Sequence, residues 1–290
     1  MTIGPERQPG EFGRVEAWLQ GLPEELAVQK QLLENLLSEV VRDDRWQWLE
    51  LGCSLARDRA DRWSDLDLGL GIRDGAWPEA LDDLEGVLQR LGNVVGLLRH
   101  RITGWAEPNH LRFFVQYADN GQIDLVAVPS SQPSAKAPDS IMLYDPDRIR
   151  LDQGWDAQPF RPAPALVQEW VFEGWAALAD ATKYLDRDSP WEALQRLQQA
   201  RDRIFQLWAV AGGLEYPQFG VTTVLDHPEV DLPAGIEHTA ACASVRELTR
   251  ACIVTVDVLD SVSQAASARV GASPPHALAT LVRRRLEAGN

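Results

Sequence analysis

Cysteine and histidine are scarce in this sequence of 290 residues. It has three cysteines, Cys53, Cys242 and Cys252, and five histidines. The cysteines are too few for a disulfide framework and do not have the spacing of a zinc site, and no two histidines stand at metal-ligand spacing. These shortages exclude a disulfide-stapled secreted domain and argue against a zinc enzyme. We expect a protein of a reducing compartment.

The sequence also lacks long apolar runs and has fewer basic than acidic residues. No run is long enough to span a membrane, and the N-terminus lacks a basic region followed by an apolar one, so we expect a cytoplasmic protein. Lysine and arginine number 28 against 43 aspartates and glutamates, which gives a net charge of −15. This balance argues against a duplex or tRNA partner. It suits a small cationic substrate, although it is equally explained by solubility alone.

The composition is that of a globular protein, with 45% apolar and 24% charged residues. Strands and helices alternate in the first half, and Asn120-Gly121 between two apolar runs predicts a hairpin. After a proline-rich stretch at 154–164 the pattern becomes nearly all helical. We therefore predict an α/β (α+β) domain with a mixed sheet over residues 1–155, followed by an all-α domain over residues 156–290.

The strongest chemical signal lies between Leu49 and Ile72, where an apolar run, a short polar segment and a second apolar run follow one another. Strand residues alternate between the two faces of a sheet, so Asp65 and Asp67 share one side and the intervening leucines share the other. Two carboxylates this close stay ionised together only beside a cation, and such a pair is the usual protein half of a Mg²⁺ site. The alternative is a polar strand end with two solvated aspartates.

A third aspartate lies in a later apolar strand, Ile123-Asp124-Leu125-Val126-Ala127-Val128-Pro129. A charge inside such a strand is costly to bury unless it is paired or binds a metal. The alternative is an edge-strand aspartate that faces water.

These motifs resemble the signature of the nucleotidyltransferase superfamily, the polymerase-beta-like fold that includes aminoglycoside adenylyltransferases. Ser54 fits the serine of the family's turn, Arg57 fits an arginine often found in it, and Ser64, Asp65 and Asp67 fit its metal-binding end. The strand that carries Asp124 is similar to that of streptomycin-type 6-adenylyltransferases. Two positions depart from the pattern, because Cys53 and Asp58 stand where glycine is usual.

The helical half is similar to the second domain of the same enzymes. Ser189-Pro190-Trp191-Glu192-Ala193 matches a recurrent helix start and reads as a capping box. Lys183 and Arg187, one helical turn apart, would reach the triphosphate across a cleft. The alternative is two solvated basic residues at a helix end.

The resemblance implies transfer of a nucleoside monophosphate from an NTP, with ATP expected, to the hydroxyl of a small acceptor such as an aminoglycoside. Asp65 and Asp67 would hold Mg²⁺, and Asp124 would complete a second metal site or act as the base. Ser54 would cradle a phosphate. Glu107 is a weaker candidate base, and Trp63 or Trp105 would stack on a base or sugar.

Other functions stay open from the sequence. One is a nucleotidyltransferase that modifies a protein, and another is a non-catalytic family member that binds nucleotide or a partner. A polymerase or tRNA-end enzyme is disfavoured by the charge.

Overall fold

The computed structural model describes residues 10–101, 110–132, 140–152, 160–273 and 276–288. The chain divides into two compact units, Met1–Ala157 and Gln158–Asn290. Each unit has a hydrophobic core of its own.

The described part of the first unit is built on a mixed six-stranded sheet with the strand order β3-β4-β5-β2-β1-β6. Neighbouring strands run antiparallel except β2 and β5, which are parallel. Together with the helical second unit, this mixed sheet confirms the predicted fold class. The strands are β1 (Trp46–Leu51), β2 (Leu66–Ile72), β3 (Val94–Arg101), β4 (Leu111–Tyr117), β5 (Gln122–Pro129) and β6 (Ile141–Tyr144).

Alternation fixes which face of the sheet each side chain takes. In β2 the even-numbered residues Leu66, Leu68 and Leu70 are buried in the core, while Asp67 lies on the opposite, half-open face. Each buried leucine contributes about 1.5–3 kcal/mol relative to an exposed one. A slip of one residue would move these leucines out of the core and the aspartate into it, so the core specifies the register.

Helices complete the core of the first unit. The longest, α2, buries an apolar stripe against the sheet. A 3-10 turn at Glu24–Leu26 follows Pro23 and leads directly into this helix. The helices are α1 (Gly10–Gln20), α2 (Ala27–Arg42), α3 (Cys53–Ala56), α4 (Trp77–Arg90) and α5 (Ile149–Asp152).

The described part of the second unit is helical. Its longest helix is preceded by Ser244 and followed by Gly271, which has a φ of 72°. No helix in the described ranges combines the length and the apolar character needed to cross a membrane. The helices are α6 (Pro164–Asp186), α7 (Pro190–Gly212), α8 (Val221–Leu225), α9 (Val245–Val270) and α10 (His276–Ala288).

Candidate active site

Three aspartates share the half-open face of the sheet. Asp65 lies one residue before β2, and Asp67 is the second residue of that strand. Asp67 is paired in register with Asp124 on the parallel strand β5. Since hydrogen-bonded strands lie about 4.8 Å apart, this register brings the Asp67 and Asp124 side chains next to each other.

Mutual repulsion is visible at Asp67. Burial, and after it the charges of Asp65 and Asp124, together raise the pKa of its carboxyl from the ordinary 3.8 to about 6. The Cys53 thiol and the positive charge of Arg112 oppose this rise. The charged form of Asp67 is therefore costly in the protein alone, and a cation at this point would relieve that cost.

Arg112 holds Asp124, and sequence reasoning missed this arginine. Its Nε donates to Oδ1 of Asp124 at 2.5 Å, and its Nη2 donates to Oδ2. The Arg112 pKa is raised, first by this bond and then by the charges of Asp124, Asp67 and Asp65. The hairpin predicted from the sequence implies this pair. Phe114 lies opposite Asp124, so Arg112, two residues before Phe114, is the diagonal neighbour of Asp124 on the same face of the sheet.

Asp65 has a neutral partner. The Nε2 of Gln122, the first residue of β5, donates to Oδ2 of Asp65 at 3.3 Å. Asp65 is thus oriented by an amide and Asp124 by a guanidinium. Among the described residues, no three histidine, cysteine, aspartate or glutamate side chains are arranged as a group that would hold a metal ion.

The turn from β1 into α3 brings a thiol to Asp67. The amide of Gly52 donates to the Asp67 carbonyl at 2.9 Å, which ties this turn to β2. The Cys53 thiol donates to the Asp67 carboxylate, and burial, followed by the charge of Asp67, raises the pKa of the thiol to about 12. Cys53 is therefore a neutral donor and not a thiolate nucleophile.

The two departures from the family's glycine pattern fall on unusual backbone. Cys53 has a φ of 56° and Asp58 a φ of 53°. This left-handed region is the one that glycine adopts without strain. The local backbone thus has the conformation of a glycine turn, although neither residue is glycine.

Ser54, Ser64 and Arg57 line or flank the same turn. The Ser54 carbonyl accepts the amides of Arg57 and Arg59, at 3.2 and 3.0 Å. The Ser64 hydroxyl accepts the Asp61 amide at 2.9 Å and so closes the loop before β2. Arg57 is near enough to Cys53 for its charge to lower the thiol's pKa. The nucleotide contacts predicted for these three residues stay predictions.

Several solved structures are similar to this chain, including the following two. An aminoglycoside 6-adenyltransferase from Bacillus subtilis is 13% identical, with a TM-score of 0.41, over 92% of this chain and 98% of that one. A nucleotidyltransferase-like protein from Exiguobacterium sibiricum 255-15 is 11% identical, with a TM-score of 0.38, over 83% of this chain and 77% of that one. No family model and no curated protein matches the sequence. The positions of the side chains are therefore the basis for a function of this protein.

The basic residues predicted to contact phosphate belong to the second unit. Lys183, in the last turn of α6, donates to Asp180 at 2.6 Å and lies 4.7 Å from the centre of the Tyr184 ring. Arg187 caps the end of α6, where its amide donates to the Tyr184 carbonyl at 3.2 Å. Their role toward a triphosphate stays a prediction.

The remaining predictions concern the capping box at Ser189 and the residues proposed as a base or as stacking partners. The Ser189 hydroxyl donates to the Glu192 carboxylate at 2.5 Å, whereas a capping box would bond the backbone amides, so the capping-box prediction is wrong in this detail. Trp63 is exposed and lies under Arg62, whose guanidinium is 4.8 Å from the ring centre. Glu107 and Trp105 lie outside the described residues.

A groove of about 570 Å³ lies in the second unit along α6 and α7. Three acidic residues line it. Glu173 pairs with Arg203 at 2.9 Å and Asp180 with Lys183 at 2.6 Å, while Asp202 accepts a hydrogen bond from the Gln198 amide at 2.9 Å. Because each carboxylate has a partner within the protein, the groove does not by itself indicate a cationic ligand.

Proposed function

We propose that the protein is a Mg²⁺-dependent nucleotidyltransferase that transfers AMP from ATP to a hydroxyl of a small cationic acceptor such as an aminoglycoside. The observation that carries the proposal is the shared face of Asp65, Asp67 and Asp124 on two parallel central strands. The strand, turn, short helix and Ser-Asp-Leu-Asp sequence stand in the order that the resembled superfamily uses. We also propose residues 1–155 as the nucleotidyltransferase domain and 156–290 as a helical domain that contributes Lys183 and Arg187.

The donor set fits Mg²⁺ at Asp65 and Asp67. Magnesium prefers carboxylate oxygens and usually takes one or two from the protein, with phosphates and water completing its shell. The raised pKa of Asp67 supports a cation at this point, since a nearby positive charge stabilises the ionised form. When bound, Mg²⁺ would neutralise charge on the phosphates and orient them.

The proposed reaction is an in-line displacement at the α-phosphorus of ATP. The acceptor hydroxyl oxygen forms a bond to that phosphorus, the bond to the β-phosphate oxygen breaks, and pyrophosphate leaves with its electron pair. The hydroxyl proton must pass to a base within hydrogen-bond reach. Asp124 is the proposed base or ligand of a second metal, and Arg112 already occupies one lone pair of each of its oxygens.

The remaining roles concern the substrates. We propose that Ser54 and Arg57 contact phosphate at the turn and that Ser64 supports the metal-binding end. Lys183 and Arg187 are the proposed partners of the triphosphate. The net charge of −15 supports a cationic acceptor through attraction at long range.

One observation favours a second candidate function, a non-catalytic nucleotide-binding protein. The engagement of both Asp124 oxygens by Arg112 would suit a site that binds but does not turn over. Modification of a protein acceptor is a further alternative that the assay below separates from both.

The test is a transfer assay with Mg²⁺, ATP and a pooled panel of aminoglycosides, read by mass spectrometry. We expect an AMP-sized increase on one or more compounds, and its loss in the Asp65→Asn, Asp67→Asn double variant. Asp82→Asn, which changes an exposed aspartate of α4, is the matched control and should keep full activity. Nucleotide binding without any adduct would favour the non-catalytic candidate, and labelling of a protein would favour a protein acceptor.

A further inference from the structure

Asp124 differs from the other two aspartates in what surrounds its carboxylate. Both of its oxygens accept a bond from the same guanidinium, and its side chain is 12% exposed. Two parallel bonds of this kind are among the strongest and most directional that a carboxylate makes. The guanidinium takes one lone pair of each oxygen, and its positive charge would repel a metal ion that approached the remaining ones.

The position of Arg112 is set by the sheet and not by a mobile loop. Arg112 is the second residue of β4, and its side chain reaches diagonally across one register step to β5. The flanking residues Leu111 and Phe113 are buried on the other face. The arginine is therefore directed onto the aspartate face by the same alternation that places Asp124 there.

We propose, on the basis of the function proposed above, that Arg112 takes the place of a second metal ion, so that the protein binds one divalent cation through Asp65 and Asp67 and keeps Asp124 paired. The guanidinium is a fixed positive charge beside Asp124, where a second Mg²⁺ would otherwise bind. Arg112 is then a positioning residue, and Asp124 is not a metal ligand. A cation count will decide this independently of activity.

The experiment counts bound Mn²⁺ per chain by equilibrium dialysis and by the paramagnetic resonance signal of free Mn²⁺. Binding to the acidic surface is subtracted with the Asp65→Asn, Asp67→Asn, Asp124→Asn triple variant. We expect one specific ion on the wild type and two on Arg112→Gln, which removes the charge but keeps an amide near Asp124. Adding Asp124→Asn to Arg112→Gln should return the count to one.

The matched control is Arg99→Gln, which makes the same change of charge on the neighbouring strand β3, where Arg99 pairs with Asp82. It should keep the count at one. If Arg112→Gln does not fold, Arg112→Met with Asp124→Asn removes the pair on both sides, and Arg112→Lys keeps a charge; both should bind one ion.

The outcomes separate this proposal from the one on which it rests. Two specific ions on the wild type, or one on a folded Arg112→Gln variant, would overturn the role of Arg112 and leave the nucleotidyltransferase standing. No specific ion on the wild type would remove the metal site itself, and the role of Arg112 with it. If Arg112→Gln does not fold, a second ion on Arg112→Lys or on the Arg112→Met, Asp124→Asn variant would contradict the proposal.

Discussion

At the scale of single residues, Asp58 is held in a conformation that side chains seldom adopt. Its φ of 53° costs about 1–2 kcal/mol for most residues, and somewhat less for aspartate. We predict that Asp58→Gly raises the free energy of unfolding of the first unit by about 0.5–1 kcal/mol. Urea unfolding measures this change through the midpoint of the transition.

Asp58→Ala is the control, because it removes the same carboxylate and keeps the strained backbone. It should leave stability unchanged or lower. Equal stabilisation by glycine and alanine would assign the gain to the lost charge and would contradict the backbone explanation.

The titration of Asp67 gives a second prediction at this scale. Its pKa is 3.8 in an ordinary environment and about 6 in the folded protein, so between these values the folded state binds more protons than the unfolded state. The free energy of unfolding therefore falls as pH rises from about 4 to 6. With about 1.4 kcal/mol for each tenfold change in proton affinity, the loss is at most about 3 kcal/mol.

Asp67→Asn tests this directly in the presence of EDTA. The variant should lose the pH-dependent fall in this window and be more stable than the wild type at pH 7 by about 1–3 kcal/mol. Added Mg²⁺ should stabilise the wild type and leave Asp67→Asn unaffected. Asp82→Asn, the control, should follow the wild type. If the wild type and Asp67→Asn show the same change of stability from pH 4 to 6, Asp67 is ionised without cost and the prediction is wrong.

At the scale of secondary-structure elements, α5 is joined to β1 by a buried ion pair. Arg150 donates to Glu50 at 2.9 Å, and the two side chains are 2% and 7% exposed. The guanidinium also lies 5.1 Å from the centre of the Trp48 ring. Asp145 accepts the Ile149 and Arg150 amides, at 2.8 and 2.9 Å, and so fixes the start of the helix.

We predict that Arg150→Ala destabilises the first unit by about 3–5 kcal/mol, because it leaves the Glu50 carboxylate buried without its partner. Glu50→Gln with Arg150→Met removes both charges and should cost much less. Chemical denaturation of Glu50→Gln, of Arg150→Met and of the variant with both changes measures the coupling. A double variant as unstable as the sum of the single ones would contradict a direct interaction.

The sequence predicted those features of the sheet that depend on a single local pattern, such as the alternation of buried residues or a turn sequence. The leucines of β2 fix the face of Asp65 and Asp67, and Asn120-Gly121, with a φ of 70° at Asn120, joins β4 to β5 as expected. The pairing of Arg112 with Asp124 was missed because it depends on the register between two strands and not on either strand alone. Likewise, the contact of Cys53 with Asp67 requires the three-dimensional path of the turn.

The helical half shows the same limit. The sequence predicted a nearly all-helical second half, but it did not give the bounds of single helices such as α9, which runs from Val245 to Val270. The pattern of α6 placed Lys183 near the helix end, and its bond to Asp180 is a local contact within one turn. The periodicity of a helix does not tell which groups surround its end. The roles of Lys183 and Arg187 toward phosphate therefore stay predictions.

At the scale of the whole molecule, the net charge of −15 acts on the two proposed substrates in opposite directions. It attracts a polycationic acceptor and repels ATP, and dissolved salt screens both effects, with a Debye length of about 10 Å at 0.1 M. We predict that raising KCl from about 0.05 to 0.5 M lowers kcat/KM for an aminoglycoside about tenfold. The same change should leave the KM for ATP unchanged or lower.

Steady-state kinetics with each substrate varied in turn measures this, and sucrose at matched osmolarity controls for effects other than screening. The opposite signs make the prediction specific to charge, because a salt-induced loss of folded enzyme would impair the use of both substrates together. If kcat/KM for the acceptor does not change with salt concentration, the acidic residues serve solubility alone. In that case the charge would no longer support a cationic acceptor, and the three aspartates would be the remaining basis for the proposed chemistry.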